Sequence, residues 1–138
     1  MKDIDSVCVT ETNQSNIKFE ENKSKIVFKN SLREKIICIQ VDGCVIKSGI
    51  RCDNMLIRQS GIEYYIELKG CDVNHAIEQL EATINVLSKD VFSLPKFVFI
   101  VATKYPAIDV KIQRATKLFK KKYNVELIVK NTPVTYSL

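Results

Sequence analysis

The chain has 138 residues, long enough for one compact domain with a real core and too short for two. Hydrophobic residues at 46% and charged residues at 27% are ordinary for a folded domain, and no apolar run reaches the roughly 18 residues of a membrane span. The net charge of +5 permits a polyanionic partner without demanding one.

The N-terminus reads Met1-Lys2-Asp3-Ile4-Asp5, with acids where a secretory signal carries bases. A cytoplasmic location is the expectation. Five cysteines, at 8, 38, 44, 52 and 71, include no CxxC pair and do not form the pattern of a disulfide framework or a zinc site. Cys38 and Cys44 stand in apolar surroundings and read as small core residues. The single histidine, His75, excludes a site built on several imidazoles.

Residues 1–24 are polar and aperiodic, and they read as a flexible or loosely helical arm ahead of a single domain over 25–138. Ile26-Val27-Phe28 opens that domain as a short strand. Residues 36–46 are rich in β-branched side chains and predict a strand, closed by a turn at Ser48-Gly49. Strands over 52–58 and 62–68, joined through Gln59-Ser60-Gly61, complete an antiparallel meander. Apolar residues at 73, 76, 77, 80, 84 and 87 then change the period to that of an amphipathic helix, with Asp72 as its N-cap. Residues 96–102 form an almost wholly apolar strand, as suits one buried on both faces. A second helix opens near Pro106 with Ile108, Ile112, Ala115 and Phe119 on one face, and a last strand covers 125–129. The predicted class is α/β: a mixed central sheet in the order β-β-β-α-β-α-β, flanked by helices. The strands on either side of the first helix are expected to run parallel.

Alternation places Tyr65, Glu67 and Lys69 on one face of their strand and Tyr64, Ile66 and Leu68 on the other. Asp53 opens the preceding strand, and antiparallel pairing brings that end to Glu67 and Lys69. Two carboxylates held close repel each other unless a cation lies between them, and hard divalent cations prefer such oxygens. A lysine beside them can reach a metal-bound water or the phosphate under attack. Those are the parts needed to hydrolyse a phosphodiester.

The runs Cys52-Asp53-Asn54-Met55-Leu56-Ile57-Arg58 and Tyr64-Tyr65-Ile66-Glu67-Leu68-Lys69-Gly70 resemble the PD-(D/E)XK nuclease superfamily. That superfamily has a restriction-endonuclease-like core and includes restriction enzymes, Holliday junction resolvases and small repair or phage-defence nucleases. The resemblance spans about residues 36–130. It implies a magnesium-dependent endonuclease, with manganese as a substitute, acting on DNA ahead of RNA. It also implies that Asp53, Glu67 and the carbonyl of Leu68 hold the metal while Lys69 positions the water. Many members add an acid from an N-terminal helix, for which Glu34 is the nearest candidate, ahead of Glu20 or Glu21. Relatives of the RecB nuclease carry Gln-x-x-x-Tyr after the motif; here Gln79 matches but Thr83 replaces the tyrosine. Cys52 stands where the superfamily's name has proline.

Asp42 is a further candidate for the metal site, although an acid before Gly43 also suits a turn. Lys111, Arg114, Lys117 and Lys121 recur at helical spacing and fit a nucleic-acid backbone, with a solvated helix surface as the plainer alternative. Tyr64 and Tyr65 suit sheet packing better than base stacking. So small a domain has no room for a separate sequence-reading module, so specificity calls for a homodimer or a place in a larger complex. The competing function is a catalytically silent module of the same fold, an immunity or regulatory subunit that binds a partner protein.

Overall fold

The computed structural model describes residues 8–21, 23–41, 53–69, 75, 77, 78, 82, 95–103 and 110–138. Among them lie nine strands: β1 (Val9–Thr12), β2 (Asn16–Glu21), β3 (Ser24–Lys29), β4 (Ile36–Gln40), β5 (Asn54–Ile57), β6 (Glu63–Lys69), β7 (Lys96–Ala102), β8 (Val125–Asn131) and β9 (Val134–Ser137). The helix α1 (Val110–Tyr123) precedes β8, and His75, Ile77, Glu78 and Ala82 are also helical.

The larger sheet has six strands in the order β1-β4-β5-β6-β7-β8, and β2-β3-β9 form a second, three-stranded sheet. The meander β4-β5-β6 is antiparallel, and β6, β7 and β8 run parallel, as a mixed sheet requires. Of β7, only Phe97 falls short of full burial, which is why its sequence lacks polar alternation.

Alternation gives the large sheet two apolar faces, each with its own cover. On one side Leu56, Tyr64, Ile66, Leu68, Phe99 and Val101 meet Ile17, Ile26, Phe28 and Val134 of the smaller sheet. Aromatic rings dominate that layer: Phe28 meets Phe99 edge-on at 5.4 Å and Tyr64 stacks on Phe97 at 4.9 Å. On the other side Met55, Tyr65, Val98, Ile100 and Leu127 pack under Ala115, Phe119 and Tyr123 of α1, with Ile77 and Ile112 beside them.

Helix α1 follows from its sequence. Ile112, Ala115, Phe119 and Tyr123 form one stripe, and burying Phe119 contributes about 2–3 kcal/mol. Asn124 ends the helix at φ 55°, a left-handed conformation that asparagine tolerates. Lys120, Lys121 and Lys122 occupy the last turn, where they complement the exposed carbonyls.

The polar arm expected over 1–24 needs correction. Val9–Thr12 pairs antiparallel with β4 and Asn16–Glu21 pairs with β3, so this stretch supplies a strand to each sheet. Its side chains read as polar because each strand lies at a sheet edge and buries little; Ile17 is its chief core residue. The terminal β9 was also unexpected. Thr132 carries the chain from one sheet to the other: its amide donates to Ala102 O at 2.8 Å and its Oγ1 accepts from Lys25 N at 2.9 Å. Cys8 is buried and disulfide-bonded, although the cysteine spacing does not form the pattern of a disulfide framework, while Cys38 is free. Most of the first predicted helix, the turn at Ser48-Gly49 and Cys44 lie outside the described residues.

Candidate active site

The ladder between β5 and β6 ends at the pair Asn54–Ile66. Extended one step beyond that last pair, the same register leads to Asp53 and Glu67. By alternation both lie on the helix-covered face, in line with Met55 and Tyr65. Residues directly opposite in an antiparallel pair hold their Cβ atoms about 5 Å apart. The main chain of Asp53 is fixed to β4, since Val41 N donates to its carbonyl at 3.0 Å. Its side chain is fixed to β6, since Leu68 N donates to Asp53 Oδ2 at 2.7 Å.

Both acids are withdrawn from water: Glu67 is 0% exposed and Asp53 6%. A desolvated carboxylate is costly unless hydrogen bonds, a positive charge or a proton offset it, and two neighbouring ones compound the cost. The hydrogen bond from Leu68 meets part of that need at Asp53.

Lys69 ends β6 opposite Ala102; its side chain lies outside the described atoms. Asp42 and Gln79 also lie outside the described residues. Glu34 is placed elsewhere and is withdrawn as a member of this site. It precedes β4 at the end where Ile37 pairs with Ile57, whereas Asp53 lies beyond the pair Gln40–Asn54. The intervening strand separates them by more than about 13 Å. Glu34 instead forms a two-pronged ion pair with Arg58, Nε to Oε1 at 2.9 Å and Nη2 to Oε2 at 3.0 Å. Those hydrogen bonds hold its carboxyl below the usual range despite the desolvation that opposes them. Glu20 and Glu21 are exposed on β2 in the other sheet.

The basic residues of α1 divide by position. Arg114, Lys117 and Lys121 are exposed on the side away from Phe119, and the side chain of Lys111 is not described. The last turn adjoins the start of β7, because Lys96 N donates to Asn124 O at 3.1 Å. Glu67 pairs near the other end of β7, with Ile100. Lys121 is therefore at the far end of the sheet from the acids, and Arg114 is nearer to them. Lys120 reaches Asn124 Oδ1 at 3.3 Å and Lys122 covers the Tyr123 ring at 5.1 Å, local contacts that stabilise the helix end.

Glu63, Tyr65 and Lys96 form a buried polar group that the sequence reading missed. Tyr65 donates to Glu63 Oε1 at 2.9 Å, and Glu63 is the register partner of Lys96. The signal was present in the alternation, which puts Glu63 on the same face as Glu67. Tyr64 and Tyr65 are both core residues, as expected. His75 pairs with Glu78 at 3.8 Å on a half-exposed surface, in keeping with a solvated polar side.

Among the described residues no group of three or more His, Cys, Asp or Glu surrounds a common point. The donors on hand are two buried carboxylates, Asp53 and Glu67, and the main chain of β6. That set suits a hard divalent cation, which binds through one or two carboxylates and keeps several waters.

No family model matches the chain, and no curated protein matches it. Among solved structures the chain is similar to a repair endonuclease from Pyrococcus abyssi, at 22% identity and a TM-score of 0.37. The match covers 62% of this chain and 36% of that one. A likeness of this extent supports neither a family nor an activity.

Proposed function

We propose that the protein is a metal-dependent nuclease with a restriction-endonuclease-like core, hydrolysing phosphodiester bonds of DNA. The observation that carries this reading is the burial of two acids, Asp53 and Glu67, just beyond the last pair of the β5–β6 ladder, with Asp53 bonded to the β6 main chain. Ordinary sheet surfaces do not bury such pairs, because like charges directly opposite are destabilising.

In this reading Asp53 and Glu67 hold magnesium or manganese, with the carbonyl of Leu68 as a third protein donor. A bound divalent cation supplies positive charge to a phosphate oxygen and acidifies a coordinated water. Asp53 is oriented for its role by the Leu68 amide and by the Val41 hydrogen bond to its main chain. Lys69, next on the same face of β6, steers the attacking water or stabilises charge at the phosphate. Arg114 and its neighbours on α1 contribute backbone contacts to the nucleic acid, and specificity comes from a second copy or a partner protein.

One observation favours a second reading, a silent module that binds a partner protein. Asp53 Oδ2 already accepts the amide that ends the β5–β6 ladder, which a purely structural acid would also do. Incubation with supercoiled plasmid and manganese separates the two. The nuclease reading expects nicking or linearisation that is lost in Glu67→Gln and Lys69→Ala. Intact plasmid at all manganese concentrations, with the wild-type protein folded, contradicts it.

A further inference from the structure

We infer that the loop from Ser31 to Lys35, with the adjoining edge of β1, is a second contact point for a DNA strand, separate from the acid pair. The inference takes its ligand from the nuclease reading, but its evidence lies at the other end of the sheet.

The loop is anchored on both sides. Asn30 is buried and acts as its hub: its Nδ2 donates to Gln14 O at 3.1 Å and Glu34 O at 2.9 Å, and its Oδ1 accepts from Glu34 N at 3.1 Å. Asn30 O also accepts from Arg33 N at 3.0 Å. Glu34 is clamped by Arg58, and Lys35 N donates to Gln59 Oε1 at 3.3 Å. Between these anchors Leu32 is pushed outward and is 85% exposed, the most exposed large apolar side chain among the described residues. Arg33 follows at φ 50°, a left-handed conformation that costs a non-glycine residue about 1 kcal/mol. An exposed leucine and a strained arginine held by a buried hub are poorly explained by stability alone.

Beside them opens a cleft of about 270 Å³ lined by Glu11, Thr12, Asn13, Arg33 and Lys35. Arg33 and Lys35 outweigh the one lining acid, Glu11, which lies 3.8 Å from Lys35, and with a hydroxyl and an amide beside them they suit a phosphate. Leu32 beside the cleft suits packing against a base step, as apolar wedges do in bent duplexes. The orientation agrees with a shared substrate. Glu11 stands opposite Ile37, which packs on the helix side, so this wall of the cleft lies on the face that alternation assigns to Asp53 and Glu67. From Lys35 to Val41, whose amide binds Asp53 O, the chain spans about 20 Å. At about 3.4 Å per nucleotide that is about six nucleotides from the acid pair.

The test is binding of the chain to single-stranded DNA by fluorescence anisotropy in EDTA. Strands of about 4 nucleotides, too short to span the about six nucleotides between the two points, and of about 12 nucleotides are compared, at several salt concentrations. The expected result is at least tenfold tighter binding of the longer strand, a gain abolished in Arg33→Ala/Lys35→Ala and reduced in Leu32→Ala. The slope of log affinity against log salt falls by about two in the double variant. Circular dichroism checks that these surface substitutions leave the fold intact. A length-dependent gain that persists in the variants overturns the inference, as does binding of polyglutamate in place of DNA. Asp53→Asn is the control: a protein that cannot cleave plasmid yet keeps the loop-dependent gain supports the loop and faults only the nuclease reading.

Discussion

The carboxylate of Asp53 accepts the amide of Leu68 at 2.7 Å, joining the start of β5 to the end of β6 where the regular ladder stops. One contact thus ties the approach to β5 to the main chain of β6 and fixes the acid there. Substitutions at Asp53 separate that structural role from cleavage. Asp53→Ala leaves a buried amide without its acceptor and is expected to cost about 1–3 kcal/mol in urea unfolding. Asp53→Asn keeps an acceptor and loses less stability, yet abolishes plasmid cleavage as completely as alanine does.

The Glu34–Arg58 pair predicts a specific acid response. The carboxyl of Glu34 is lowered below its ordinary value of 4.5, so the folded state binds a proton there less readily than the unfolded state. The stabilisation is fully present above that ordinary value and is lost as pH falls through the lower folded value. Unfolding of wild type and Glu34→Gln is expected to differ by a constant amount at neutral pH, the gap closing as pH falls below the ordinary value of 4.5. Cleavage measured at neutral pH is expected to survive this substitution, because Glu34 lies outside the acid pair.

Much of the meander and of β7 was legible because period and composition agreed. Lys96–Ala102 has no polar interruption, and the Glu67-x-Lys69 run sits in a strand whose alternate residues, Ile66 and Leu68, are core. The edge strands were not legible. Val9–Thr12 and Asn16–Glu21 carry charged and polar side chains because one flank and much of each face meet water, and such a sequence looks like a loop. Val134–Ser137 escaped notice because its partner β3 lies more than 100 residues earlier, a pairing no local pattern announces. For the site, alternation in two strands pointed to Asp53 and Glu67, and both acids are buried. Glu34 was a candidate only through the resemblance, whereas the antiparallel meander sets the start of β4 and the start of β5 at opposite ends.

Burial pushes the Cys38 thiol up to about 11, and the thiolate is the species that reacts. Peptide mapping after brief iodoacetamide treatment at pH 8 is expected to leave Cys38 unmodified in the folded protein and modified in urea. Rapid labelling in the native state contradicts its placement against the aromatic layer.

The division of basic residues along α1 predicts graded effects on nucleic-acid affinity. Arg114→Ala is expected to weaken binding several-fold, while Lys121→Ala, at the far end of the sheet, changes it less than twofold. Titration of labelled duplex in EDTA reads both. Equal losses would mean that the whole helix, rather than its site-proximal half, faces the substrate.

Phe119 is the central anchor of that helix and meets Tyr123 edge-on at 5.8 Å. Phe119→Ala removes a fully buried ring and is expected to cost about 3–5 kcal/mol. Thermal unfolding followed by circular dichroism measures it, and a loss below about 1 kcal/mol contradicts the packing of α1 on the sheet.

Isothermal titration of manganese into the wild-type protein, Asp53→Asn and Glu67→Gln tests the acid pair most directly. A single saturable site in wild type, weakened at least tenfold by either substitution, is the predicted result. An absence of binding in wild type, or equal binding by all three folded proteins, contradicts the assignment of Asp53 and Glu67 as metal ligands.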